Sequence, residues 1–294
     1  MKNEQELKNV VRDRYARIAD QGRAENAASC CGATNPSNKV YNIMMDDYSE
    51  TQGYVEDADL GLGCGLPTHF ARIQPGDTVI DLGSGAGNDC FVARHETGPE
   101  GKVIGIDFTP AMIRKARLNA ENLGYNNVEF REGDIDEMPV SDGVADVVVS
   151  NCVLNLVPDK QKVLREIFRV LKPGGHFSIS DIVLVGDLPE ALREDAEMYA
   201  GCVAGAIQKA TYLDFIQHAG FTQITLQKEK PIHIPEDILS KYLPPVEAAD
   251  FNSGGTGIFS VTVYAEKPGS KPTKPRVRLS SLAEGDCKPG TGCC

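Results

Sequence analysis

The segment Asp81-Leu82-Gly83-Ser84-Gly85-Ala86-Gly87 constrains the fold more than any other stretch of the chain. It follows an apolar run, Thr78-Val79-Ile80, and leads into a helix-like stretch from about Asn88. A buried strand that empties into three closely spaced glycines and then a helix is a ligand-binding turn. Glycine lets the chain reverse sharply and lets a ligand come close to the backbone. The same strand–helix grammar then repeats. Strands are expected at Lys102–Asp107, Asn127–Arg131, Ala145–Ser150 and His176–Val185. A helix that Pro110 can start follows the second strand, and Asp159–Leu171 forms another, ended by Lys172-Pro173-Gly174-Gly175. This alternation predicts an α/β fold, a doubly wound, Rossmann-like parallel sheet with helices on both faces.

Four regions follow from the pattern. Residues 1–75 are expected to form a helical and loop segment that covers the active site, because Leu7, Val10, Val11, Tyr15 and Ile18 fall near helical spacing. Residues 76–186 form the ligand-binding core. Residues 187–268 form an appended, substrate-binding α+β portion, with helices near 189–200 and 210–219 and strands near 221–229 and 257–266. Residues 269–294, rich in Pro, Gly, Lys and Ser, read as a flexible tail.

Bulk properties remove several function classes. The 294 residues carry a formal net charge of −12, which disfavours a protein that wraps nucleic-acid phosphates. The one basic stretch, Lys267–Arg278, reads as a solvated tail. No apolar run approaches the roughly 18 residues a membrane span needs. The N-terminus is charged from its second residue and lacks a signal-peptide core, so a cytoplasmic location is expected. Nine cysteines in such a chain are then expected to be reduced thiols rather than disulfides. They show no paired CxxC grammar for structural zinc.

The loop itself discriminates between cofactors. The dinucleotide fingerprint places a third glycine at position 88, which is Asn88. Asp107, at the end of the second strand, stands where an acid binds two ribose hydroxyls. Asp81 brings a negative charge to the mouth of the loop, which repels phosphate and favours an ammonium or sulfonium. S-adenosylmethionine is therefore preferred over NAD. The segments VIDLGSGAG, GIDFTPAMI, EGDIDEMPV, DVVVSNCVLNL and RVLKPGGHFSISD resemble, in order and spacing, the motifs of class I methyltransferases. The resemblance implies that Asp81, Gly83, Ser84 and Gly85 hold the methionine end and Asp107 the ribose. Met112 would pack by the adenine, Asp134 would bind its amino group beside Gly133 and Ile135, and Ser150-Asn151 would close the site.

Cys90, early on the helix after the glycine loop, reads as a buried structural residue. Three other cysteines sit where chemistry would occur. Cys152 follows the fourth strand at its C-terminal end, the edge along which open α/β sheets bind ligands. Cys64 lies between Gly63 and Gly65 in a loop that can fold over that edge. Cys202 lies among small residues after the fifth strand. If they converge they form a trithiolate cup for a soft acceptor such as Cu(I), zinc or trivalent arsenic. Arsenic(III) bound by three sulfurs keeps a nucleophilic lone pair, so a methyl group placed in line needs positioning and no general base.

LGLGCGLP, SNCVLNL and YAGCVAGA resemble arsenite methyltransferases, over roughly residues 40–230. That resemblance implies arsenite or its thiol conjugates as substrate, arsenic detoxification as the role, and thioredoxin or glutathione as reductant. It also implies a fourth cysteine nearer the N-terminus that pairs with the second during turnover. Cys30 and Cys31 both fit, and the sequence does not choose between them. Cys293 and Cys294 in the tail are candidates for arsenical capture or metal binding. His69 reads as a hydrogen-bonded loop histidine and Asp181 as a structural acid. Two other readings compete: a methyltransferase for a quinone, sterol or other small acceptor, and a non-catalytic metalloid-binding protein.

Overall fold

A computed structural model describes residues 4–20, 46–186, 205–233, 239–240, 243–244, 246 and 257–269. Cys30, Cys31, Cys202, Cys287, Cys293, Cys294 and the helix expected near 189–200 lie outside the described residues.

The first helix, α1, runs Glu4–Ala19. A single 3-10 turn at Glu56–Ala58 and a four-residue helix α2 (Pro67–Phe70) precede the sheet. Then come β1 (Thr78–Leu82), α3 (Asn88–Thr97), β2 (Lys102–Asp107), α4 (Pro110–Asn122), β3 (Val128–Glu132) and β4 (Ala145–Asn151). The chain continues through α5 (Lys160–Val170), β5 (Leu171–Val185), α6 (Lys209–His218), β6 (Thr222–Ile232) and β7 (Gly257–Glu266). Among the described residues, seven strands join one sheet in the order β3-β2-β1-β4-β5-β7-β6. The first five are parallel, and β7 runs antiparallel to both β5 and β6. The C-terminal α+β portion is thus continuous with the core, extending the parallel sheet edge-on.

Both faces of the sheet are covered, which explains the unbroken apolar runs in its strands. On one face, Ile80, Leu82, Val148, Phe177 and Ile179 pack with Val163, Leu164 and Ile167 of α5 and with Tyr212 and Ile216 of α6. On the other, Val79, Val103, Val147 and Val149 pack with Ile18 of α1, Phe91 of α3 and Met112 of α4. Successive residues of each strand serve opposite layers, as the two-residue period requires. Asp159 caps α5 by accepting the Lys162 N–H at 2.9 Å. Pro110 opens α4, as its fixed φ favours.

The Lys172–Gly175 turn is instead the beginning of β5. Pairing jumps from Ala145↔Leu171 to Val147↔His176, so these residues form a bulge in a 15-residue strand. The order of β1 and β4 marks the reversal point of the sheet. Chain connections diverge there, and the carboxyl ends of the two strands open a crevice. Among the described residues no helix is long and apolar enough to cross a membrane.

Candidate active site

The crevice is a cavity of about 1080 Å³, counting its open mouth. The glycine loop forms its floor. Gly83, Gly85 and Gly87 all have positive φ, at 64°, 52° and 101°. At Gly83 a Cβ would also fall 2.5 Å from a Val153 methyl, so a side chain is excluded twice over. Asp107 ties the loop to β2: its Oδ2 accepts the Gly85 N–H at 3.0 Å and its Oδ1 the Thr109 N–H at 2.8 Å.

Among the described residues, five carboxylates line the cavity, those of Asp59, Asp81, Asp89, Asp107 and Asp134, together with the basic Lys8. Lys8, on α1, lies 3.4 Å from Asp134 and 3.0 Å from Asp136. Burial and the neighbouring Asp89 push the Asp81 carboxyl well above its usual range. Burial likewise lifts Asp89 to about 6, against hydrogen bonds from Tyr48 and Asn151 that lower it. Asp107 is raised by burial too, although the Thr109 and Gly85 N–H groups oppose this. Such a wall favours a cation and resists a pyrophosphate. Among the described residues, Ser84 Oγ and Asn88 Oδ1 are buried on the same wall without a hydrogen-bond partner, so polar atoms stand ready for a polar ligand. A cationic nucleoside donor fits this set.

Cys90 is fully buried behind the loop, its thiol donating to Asp81 Oδ2 at 3.2 Å. Burial first, then Asp81, pushes that thiol up and makes it unreactive.

Cys152 and the backbone of the Cys64 segment both lie at the end of β4. Cys152 lines the cavity with φ at +61°, a left-handed conformation rare outside glycine, held by its N–H donating to Ser180 O at 2.8 Å. Strain of this kind gathers at functional sites. The Cys64 segment lies over the same strand end, where its N–H donates to Asn151 Oδ1 at 3.0 Å. Both cysteines lie near the buried Tyr212 hydroxyl of α6, which is raised well above its usual value by burial and by Asp181. Tyr212 donates to Asp181 Oδ2 at 3.3 Å. Asp181 is pushed up to about 7 by burial, despite Lys160 nearby, and its Oδ1 has no partner among the described residues.

A family model described as a methyltransferase domain matches residues 73–220. The chain is 39% identical to the arsenite methyltransferase of Halobacterium salinarum over 277 residues, 90% of this chain and 67% of that protein. It is 33% identical to the human arsenite methyltransferase over 227 residues, 74% of this chain and 58% of that one. The chain belongs to the arsenite methyltransferase family. It is an S-adenosylmethionine-dependent enzyme. A solved structure of an arsenic(III) S-adenosylmethionine methyltransferase from Chlamydomonas reinhardtii superposes with a TM-score of 0.60. That match is 31% identical and covers 79% of this chain and 74% of that one. The enzyme thus spans about two thirds of its Halobacterium relative's length and less of the human one's.

Within this methyltransferase, the cavity wall gathers Asp81, Gly83, Ser84, Gly85, Asp107, Asp134, Ile135, Asn151 and Cys152 from the residues singled out in the sequence. Met112 does not stand there. It is fully buried in the core between α4 and the sheet, and Phe108 and Thr109 occupy the cavity wall instead. Gly133 and Ser150 also lie behind the wall. A Cβ on Gly133 would strike Pro139, and the Ser150 hydroxyl is turned to Leu82 O at 3.4 Å. Cys64 is 1% exposed and is not on the cavity wall, which its neighbours Leu62 and Gly63 line. Among the described residues no three metal-ligating side chains gather as a cation site. Tyr48, Asp59, Asp89 and Tyr212 were not legible as site residues. Asp89 alone had a local signal, a carboxylate in the first turn of the helix after the glycines.

Proposed function

We propose that this enzyme methylates trivalent arsenic held by the thiolates of Cys64, Cys152 and Cys202, as part of arsenic detoxification. The observation that carries the reading is Cys152. A non-glycine residue is kept in a left-handed turn at the strand end, against the cavity on one side and the Cys64 segment on the other. The family relatives named arsenite methyltransferases support the same acceptor.

In this mechanism the thiols exchange onto arsenite or its thiol conjugates, releasing water or free thiol. Three sulfurs leave arsenic with one lone pair on its open face. When bound, S-adenosylmethionine supplies an electrophilic methyl group on a cationic sulfur. Asp81, Asp89 and Asp59 would favour its cationic end, Asp107 would take the ribose hydroxyls, and Asp134 and Ile135 would border the base. The α1 residues Lys8, Val11 and Tyr15 wall the cavity and limit water. Catalysis then lies in holding the arsenic lone pair and the methyl carbon in line. The arsenic lone pair would form the As–C bond as the sulfonium S–CH3 bond breaks, its electron pair leaving with S-adenosylhomocysteine. A further protein thiolate would then attack one arsenic-bound sulfur, forming a disulfide as that As–S bond breaks and its electron pair returns arsenic to the trivalent state. One partner would be Cys30 or Cys31, and thioredoxin or glutathione would restore the thiols. Incubation with arsenite, S-adenosylmethionine and a thiol reductant, followed by arsenic speciation, tests the reading. Methylated arsenic is expected in step with S-adenosylhomocysteine; none, with cofactor bound, would refute it.

A further inference from the structure

Cys64 is gripped by its main chain, and the gripping side chains come from two distant strands. Its N–H donates to Asn151 Oδ1 at 3.0 Å, at the end of β4. Its C=O accepts the Ser260 hydroxyl at 2.6 Å, from the middle of β7. These two peptide groups lie on either side of one Cα. Because peptides are planar, fixing both fixes the Cα–Cβ direction and leaves the sulfur only its rotamer.

The surroundings remove slack. Asn151 Nδ2 also donates to Gly65 O at 2.9 Å and to Tyr48 Oη at 2.7 Å. Tyr48 in turn donates to Asp89 Oδ1 at 2.8 Å. The Ser178 hydroxyl donates to Pro67 O at 2.8 Å. A Cβ on Gly63 would come 2.6 Å from Asn151 Nδ2, and one on Gly65 would come 2.5 Å from Ser180 Oγ. The segment therefore lies flat on a polar stripe of β5 and β7, a contact that apolar packing alone would leave free to slide.

We propose that Asn151 and Ser260 are positioning residues that clamp Cys64 by its N–H and C=O and so set where its sulfur meets arsenic. This rests on the reading of Cys64 as an arsenic ligand. It gives Asn151 a role on the substrate side, in addition to its place at the cavity edge, and gives β7 a part in the site although Ser260 is not on the cavity wall.

The test uses the full chain and four variants: Ser260→Ala, Ser260→Thr, Asn151→Ala and Cys64→Ser. Arsenite KM and kcat are measured beside the calorimetric Kd for S-adenosylmethionine. Ser260→Ala should raise arsenite KM roughly tenfold, the effect of one lost hydrogen bond to a buried peptide, with cofactor Kd within about twofold. Ser260→Thr, which keeps the hydroxyl, should restore the parent KM. Asn151→Ala should move arsenite KM in the same direction and further. Parent-like KM in both Ser260→Ala and Asn151→Ala, with Cys64→Ser impaired, overturns the clamp and leaves the thiolate reading standing. A Cys64→Ser variant that works at the parent rate overturns both. A loss in Ser260→Thr equal to that in Ser260→Ala shows that the strand, not the hydroxyl, matters, and also overturns the clamp.

Discussion

Asp89 places a titrating proton on the cavity wall. Burial raises it to about 6, and both of its oxygens receive hydrogen bonds, from Tyr48 at 2.8 Å and Asn151 at 3.2 Å. Its deeper neighbour Asp81 is raised in the same direction. A cationic donor favours the ionised carboxylate, so its binding draws the pKa down and expels a proton. Below pH 6 that proton must be removed at a cost; above it the carboxylate is already charged. Donor affinity is therefore expected to rise through pH 6, with Kd at pH 5 about tenfold weaker than at pH 7.5. Calorimetry in buffers of different ionisation enthalpy checks this, since net proton release should appear at pH 5 and fade by pH 7.5. A Kd flat across that range contradicts the role given to these acids.

At the scale of elements, the strand–loop–helix unit was legible because everything that defines it is local. Three alternating glycines after an apolar run require the turn, and all three have the positive φ that the turn demands. Gly83→Ala should cost on the order of 1–2 kcal/mol in stability from the left-handed backbone alone. It should also weaken donor binding, because Val153 must move from a cavity wall it shares with the loop. Chemical denaturation and cofactor titration check the two effects separately; full retention of both would contradict the account of the loop. The β5 bulge was illegible for the opposite reason. Pro173-Gly174-Gly175 has the local chemistry of a turn, and only pairing with β4 carries the strand back to Leu171. The polar stripe under Cys64 was hidden similarly. Ser260 and Thr262 alternate with Val261 and Val263 in sequence, but nothing local says that β7 inserts between β5 and β6.

For the whole molecule, that insertion ties the last strand among the described residues to the site. β7 supplies Ser260 to the Cys64 carbonyl and pairs over ten residues with β5. Just beyond it, Lys267 N–H donates to Gly175 O at 2.8 Å, and its ammonium donates to Phe168 O and Leu171 O, each at 2.7 Å. A chain ending at Gly269 keeps every one of these bonds. Truncation there should leave the thermal midpoint within about 2 °C of the parent and maximal turnover unchanged. A lower arsenite affinity in the truncated enzyme would assign capture to the tail cysteines. Methylation itself is expected to occur while arsenic is held by protein thiolates beside the donor. Arsenic speciation on Cys152→Ser, against the parent at matched cofactor occupancy, checks this. At least a hundredfold loss of methylated arsenic is expected, on the order of a lost reactant-positioning group, with donor Kd unchanged. Methylation by Cys152→Ser at the parent rate would contradict it.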